Sequence, residues 1–244
     1  MGLKSLGAKC AAGVVCAFLA GAASASTVVF NGTFEDTSSS TPGAGLVNGQ
    51  AIGDLASGPG RSWDVFTSIP GWTTDSGAGI EVQTNRTLSS IDAHSGQHYI
   101  ELDSHPKATS NSSMVQTIML GIGTYKLSFW YSPRNGDAGS NGIEYSVTGA
   151  APNNNVLLLN GLTGPSAANG TSVGNWTQFT SRFTVATGDS PVHLKFEATG
   201  KANTLGGFVD SVSISAVPVP AGLPMLLSAV AGFGYVARRR TRKA

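Results

Sequence analysis

From Tyr125 to Ser132 every second side chain is a large apolar one. Tyr125, Leu127, Phe129 and Tyr131 would share one face of an extended segment, while Lys126, Ser128 and Ser132 fall on the other with Trp130 among them. A period of two marks a half-buried strand. Similar segments are read at 79–83, 98–103, 113–120, 143–148, 156–159, 176–185, 192–198 and 208–215, bounded by Gly, Pro and Asn, and no stretch sustains a period of 3.6. Over 26–216 Ala, Leu, Glu and Lys, which fill helices, are sparse beside the abundant Gly, Ser, Thr and Asn. So many short strands with regular turn signals and no strand–helix–strand rhythm predict an all-β fold, an antiparallel β-sandwich of jelly-roll type. The least regular part, 36–62, reads as a long loop.

The two ends have a different character. Residues 1–25 carry Lys4 and Lys9, an apolar run over 11–20 and a small-residue site Ala23-Ser24-Ala25, the pattern of a secretory signal peptide. The mature chain would begin near Ser26. Both cysteines, Cys10 and Cys16, lie in this segment, so the expected mature protein has no thiol for disulfide, zinc or nucleophilic chemistry. At the other end stand Val217-Pro218-Val219-Pro220-Ala221, the apolar run 222–237 and the basic cluster Arg238-Arg239-Arg240-Thr241-Arg242-Lys243. A helix over 223–237 would reach roughly 22 Å at ~1.5 Å per residue, short of a ~30 Å hydrocarbon core. The basic cluster would stay cytoplasmic, leaving everything before Val217 outside. The expected organisation is a signal peptide (1–25), a sandwich domain (26–216) and a sorting and membrane segment (217–244).

All fourteen acidic residues lie in 26–216 against eight of the fifteen basic ones, so the body carries a charge of −6 although the whole chain sums to +1. An acidic body with no basic stripe excludes nucleic acid as an expected partner, since phosphate neutralisation dominates that affinity.

The C-terminal triad of short proline motif, apolar run and basic cluster resembles the PEP-CTERM family of bacterial sorting signals, most closely its Val-Pro-Leu-Pro-Ala subgroup, with Val219 in place of Leu. The resemblance implies processing near Val217, Pro218, Val219, Pro220 and Ala221 by an exosortase or archaeosortase-type membrane transpeptidase. It also implies a place at the cell surface or in the extracellular matrix, often in cells that make exopolysaccharide.

A second resemblance spans 28–215. The ordered pieces Val29-Phe-Asn-Gly-Thr-Phe-Glu35, Ile69-Pro-Gly-Trp72, Gly79-Ile-Glu-Val-Gln83, Ser95-Gly-Gln-His-Tyr-Ile-Glu-Leu-Asp103, Val115-Gln116-Thr117, Gly123-Thr-Tyr-Lys-Leu-Ser-Phe129 and Gly207-Phe-Val-Asp-Ser-Val-Ser-Ile214 resemble galactose-binding-like sandwich domains. Closest is the domain family of unknown function shared by plant cell-wall and bacterial secreted proteins. That resemblance implies carbohydrate binding without a shared reaction. Related sandwiches often hold a structural calcium between first and last strands, and the matching positions are Glu35 and Asp210. Strict alternation puts Asp210 on the face of Phe208, Val212 and Ile214, where a carboxylate needs a partner or a metal; a bulge would instead turn it outward.

Other chemistry is weaker. Gly170-Thr-Ser-Val-Gly174 spells a nucleophile elbow but lacks the buried strand before it and the helix after, so it reads as a turn. His94, His98 and His105 lie near Asp92, Glu101 and Asp103, yet the i,i+4 spacing of His94 and His98 suits a helix and not the strand expected there. Glu81, Glu101, Asp103, Glu144 and Glu197 could supply a glycoside-hydrolase pair only at a separation that sequence does not show. The expectation is a non-enzymatic protein. Sugar rings stack on aromatic faces while a few polar groups fix hydroxyls. Trp63 beside Asp64, and Tyr131-Ser-Pro-Arg134 at a strand end, are the expected surface aromatics, with Arg134, Asn135, Asp137, Asn141 and Gln83 as polar partners; Trp72 reads as scaffold. Extracellular polysaccharide is the expected ligand, against an alternative of a structural or adhesive surface protein with no glycan site.

Overall fold

Each alternating segment is a strand in the structure, a computed structural model that describes residues 27–42, 49–55, 62–85, 87–88, 90–105, 111–137, 139–151, 154–163 and 173–218. In chain order the strands are β1 (Thr41–Pro42), β2 (Trp63–Ile69), β3 (Trp72–Ser76), β4 (Ile80–Thr84), β5 (His98–Glu101), β6 (Ser113–Ile118), β7 (Gly123–Ser132), β8 (Gly142–Ala151), β9 (Asn154–Leu162), β10 (Thr177–Val185), β11 (Val192–Thr199) and β12 (Phe208–Ala216). The one helical piece among the described residues is a 3-10 turn, Ile52–Asp54, within the expected loop 36–62. The expected signal peptide, the apolar run and Val219 to Ala221 lie outside the described residues, as do Gly170 to Ser172. No helix among the described residues is long and apolar enough to cross a membrane.

Antiparallel pairing runs in the order β10-β7-β12-β5-β4-β2-β3-β6-β11-β8-β9, with β1 added beside β2. The ribbon doubles back at the β2–β3 hairpin, where Pro70 and Gly71 link Ile69 to its partner Trp72. Gly71 has φ +83°, the left-handed value that the third position of such a turn requires. The two halves then face each other across one core. Phe129 of β7 meets Phe196 of β11 and Tyr145 of β8 edge-on, at 5.0 and 4.9 Å between ring centres. Burying each such ring contributes about 1.5–3 kcal/mol. All the large core side chains fall between Val29 and Ile214, within the compact unit Ala25–Val217, so this unit carries a complete core of its own.

The opening Asn-Gly motif forms a clamp rather than a strand. Asn31 accepts the Asp36 N–H on Oδ1 and donates from Nδ2 to the Pro70 carbonyl, and its own carbonyl accepts the Trp72 indole N–H. Phe34 is thereby seated in the core beside Trp72, their ring centres 5.9 Å apart.

β12 departs from strict alternation. Ser211, at φ +52°, forms a bulge between Asp210 and Ser213, so Val209, Val212 and Ile214 face the main core while Phe208 and Asp210 face the opposite side of the sheet. Phe208 packs there with Tyr99 and Ile91, not with Ile214. Asp210 is therefore not a core-facing carboxylate, although it is fully buried beneath the segment 91–97.

Candidate functional site

On the side of the β2-β4-β5-β12-β7 half that faces away from the core, polar residues are roofed over. Register places Glu81 of β4 directly opposite Glu101 of β5, and Gln83 opposite both Trp63 of β2 and Tyr99 of β5. Glu81 and Glu101 are 1% and 0% exposed. Two carboxylates so placed need donors, and four residues supply them. The Gln83 Nε2 donates to Glu81 Oε1 at 2.8 Å and to Glu101 Oε2 at 2.5 Å. Arg134 Nη1 donates to the same Glu101 oxygen at 2.5 Å and to the Thr204 carbonyl at 2.7 Å. The Gly206 N–H reaches Glu101 Oε1 at 2.7 Å. A Cβ on Gly206 would stand 2.5 Å from Asp103 Cβ, so only glycine allows this approach. His105 contacts Glu81 Oε2 through both its backbone N–H and Nδ1, at 3.1 and 3.0 Å, and packs against half-buried Trp63 with ring centres 4.5 Å apart and planes tilted by 34°.

Burial, and then the neighbouring Glu81 carboxylate, push the Glu101 pKa well above its ordinary value. The Arg134 guanidinium and the Gly206 N–H pull the other way, each favouring the charged carboxylate. The Gln83 amide is oriented by the same network, because only its NH2 end can serve two carboxylates. Its Oε1 is buried and finds no partner among the described residues. An acceptor left in that state costs about 1–3 kcal/mol.

The β7–β8 loop edges this network. Asn141 Oδ1 accepts the Arg134 N–H at 2.9 Å, and its Nδ2 donates to the carbonyls of Asn135 and Asp137, fixing Arg134, Asn135 and Asp137 in one turn. Exposed Asp137 pairs with Lys201 at 2.8 Å, and that bond, helped by the Gly139 N–H, lowers its pKa. Trp63 and Arg134 thus meet one network, with Asn135 and Asp137 beside it. Tyr131 does not join them. It is 1% exposed, faces the main core and donates its hydroxyl to the Asn141 carbonyl, because alternation along β7 carries it to the same side as Leu127 and Phe129. It is a core residue that braces the loop, not a surface aromatic.

The second acidic pair lies elsewhere on the same face. Glu35 Oε1 accepts the N–H groups of Gln97 and His98, at 2.8 and 2.7 Å, and Oε2 meets His98 Nδ1 at 3.0 Å. Asp210 Oδ2 accepts the Ser95 N–H at 3.0 Å and Oδ1 accepts the Ser211 N–H. Burial raises the Asp210 pKa to about 7 despite those donors. Calcium takes about six to eight oxygen ligands. Here the carboxylates are met by N–H donors, and no group of three or more His, Cys, Asp or Glu among the described residues could hold a metal ion. As folded, Glu35 and Asp210 pin the 94–98 segment. The three histidines part company: His94 stacks on Trp130 at 3.9 Å and meets Ser211 Oγ, His98 meets Glu35, and His105 meets Glu81. Glu144 and Glu197 sit opposite each other on the β8–β11 half, away from Glu81 and Glu101.

The Glu81–Gln83–Glu101–Arg134 network was only half legible in the sequence. Alternation placed Glu81 with Gln83 and Tyr99 with Glu101, but the register that joins the two strands is not written in either.

No family model matches the chain, and no curated protein matches it. Solved structures of similar architecture include carbohydrate-binding modules with β-sandwich folds. One is TmCBM61 in complex with β-1,4-galactotriose, at 16% identity and TM-score 0.41, covering 79% of this chain and 99% of that one. Another is the CBM22-1 xylan-binding domain of Xyn10C from Paenibacillus barcinonensis, at 12% identity and TM-score 0.40, covering 62% and 89%. A third is the enzymatically active domain of tailspike protein 4 of bacteriophage CBA120, at 16% identity and TM-score 0.44, covering 78% of this chain but 21% of that one. Likenesses at this level say nothing of what this chain binds.

Proposed function

We propose that residues 26–216 form an extracellular, non-enzymatic carbohydrate-binding domain, exported through the secretory pathway and sorted by an exosortase-type enzyme acting on the Val217-Pro218-Val219-Pro220-Ala221 segment. The ligand would be an extracellular polysaccharide of the envelope or biofilm matrix. The observation that carries the binding reading is half-buried Trp63, packed against the tilted ring of His105 at the margin of a fixed hydrogen-bonding network. An aromatic face takes the C–H side of a sugar ring, while groups at its edge orient hydroxyls. Arg134, Asn135 and Asp137 stand at that margin with their own geometry set by Asn141. Glu81 and Glu101 are an adjacent acid pair, but their burial supports a positioning role, since a glycosidic bond must lie between hydrolytic carboxylates. The sorting reading rests on the three-part C-terminal sequence.

The test is affinity electrophoresis of residues 26–216 through gels containing the source organism's exopolysaccharide, with calcium and with chelator. Retardation is expected, with Trp63→Ala weakening it about tenfold and Lys195→Ala leaving it unchanged. Loss of retardation in chelator alone would assign Glu35 and Asp210 a calcium role. Mobility unaffected by the polymer in both conditions would defeat the glycan reading and leave a structural or adhesive surface protein.

A further inference from the structure

The most exposed large apolar side chains among the described residues are Met119 and Ile122, at 75% and 73%. They share the short turn between β6 and β7, interleaved with Leu120, which is 5% exposed and anchors the turn in the core. The turn is held rigidly: the Leu120 N–H donates to Ser190 Oγ at 3.2 Å, and the Tyr125 hydroxyl donates to the Gly121 carbonyl at 2.9 Å. Two apolar side chains are thus displayed on a fixed tip. Such a tip lacks the area for a protein interface, which needs upward of about 1,000 Å².

Two further features say what it meets. The body ends here, because the Val217 N–H donates to the Thr124 carbonyl at 2.8 Å, two residues beyond Ile122, and the sequence then enters the apolar run 222–237. Behind the tip, Lys126 and Arg182 stand opposite each other on β7 and β10, both exposed and neither in an ion pair among the described residues. Asp189, the acid at this end, is buried and accepts the Ala186 N–H at 2.7 Å. At physiological salt, charges beyond about 8 Å are screened, so this local basic pair outweighs the acidic charge of the rest of the body.

We propose that the β6–β7 tip is a lipid-docking element: Met119 and Ile122 enter the interfacial layer of an anionic bilayer while Lys126 and Arg182 face its headgroups. The body would then rest on the membrane by its own surface, at the end from which the chain departs. This is independent of the glycan site, which lies on other loops.

The test uses residues 26–217, which carry the complete core, with vesicles of phosphatidylcholine and phosphatidylglycerol in equal parts. Wild type is expected to co-sediment, and Met119→Asp with Ile122→Asp to weaken partitioning about tenfold or more. Leu157→Asp, at an apolar side chain 59% exposed on β9, should sediment as wild type. Wild type left in the supernatant, a double variant that sediments undiminished, or an equal loss in Leu157→Asp would each overturn the proposal. Polysaccharide retardation of the double variant should be unchanged, so failure here is separable from failure of the glycan site.

Discussion

β11 and the β4–β5 pair present the same kind of sequence to opposite fates. Along β11 buried and half-buried residues alternate without exception, and His193, Lys195 and Glu197 look out to solvent. β4 and β5 carry polar residues at the corresponding outward positions, yet every residue of both strands is buried. The difference lies in what covers the face. The loops bearing Arg134, His105 and Gly206 close over Glu81, Gln83 and Glu101, whereas β11 has only neighbouring side chains. A charge in water is insensitive to its partner; one out of water costs several kcal/mol unless each oxygen is met. Polar residues under a roof are thus specified one by one, and the covered face is where binding geometry can be held fixed.

The largest effect is expected at Arg134. Arg134→Ala would strand Glu101 with two acids sharing the remaining neutral donors, and the expected loss is about 3–5 kcal/mol in urea unfolding. Adding Glu101→Gln should restore much of it, because a neutral amide no longer needs the guanidinium. A single-variant loss below about 1 kcal/mol would mean that water reaches the network and the roof is not closed.

Asp210 tests the covered face through pH. Its folded pKa is raised by burial from 3.8 to about 7, so between those values the folded state binds more protons than the unfolded chain. Stability must then fall as pH rises through that window and level off above it. Relative to Asp210→Asn, wild type should lose about 2–4 kcal/mol between pH 4 and pH 7. Denaturation midpoints at a series of pH values check this, and parallel curves for the two proteins would refute it.

These contrasts also show what a sequence can and cannot convey. The strands with clean alternation, β7 and β11 above all, are visible because one side is core and the other water. β2 is hidden because Val65 and Phe66 are adjacent and both buried, on opposite faces, so the apolar run has no period. The turn after it was legible in Pro70-Gly71, but not the strand. Alternation misplaced Phe208 and Asp210 because the Ser211 bulge shifts the phase by one residue, and nothing local in Val209-Asp210-Ser211-Val212 announces a bulge. Tyr131 was misread for the converse reason: a strand-end aromatic looks exposed unless the loop beyond it folds back, as Asn141 makes it do. Arg134 and Trp63 were legible as polar and aromatic residues near turns. Their common network was not, because it depends on register between strands far apart in sequence.

The smallest effect is expected on the open face, and it sharpens the contrast most. Lys195 makes two ion pairs, with Asp75 at 2.9 Å and Glu197 at 2.8 Å, so on geometry alone it looks better bonded than Arg134. It lines a shallow groove of about 440 Å³ with Thr117, Thr148 and His193, open enough for water to reach both acids. Removing the ammonium leaves carboxylates that water can solvate at once, and the side-chain entropy spent in holding a long lysine is recovered. Lys195→Ala should therefore cost about 0–1 kcal/mol, and added salt should shrink even that. A loss comparable to that of Arg134→Ala would mean that ion-pair number, and not the covering of the face, governs these charges.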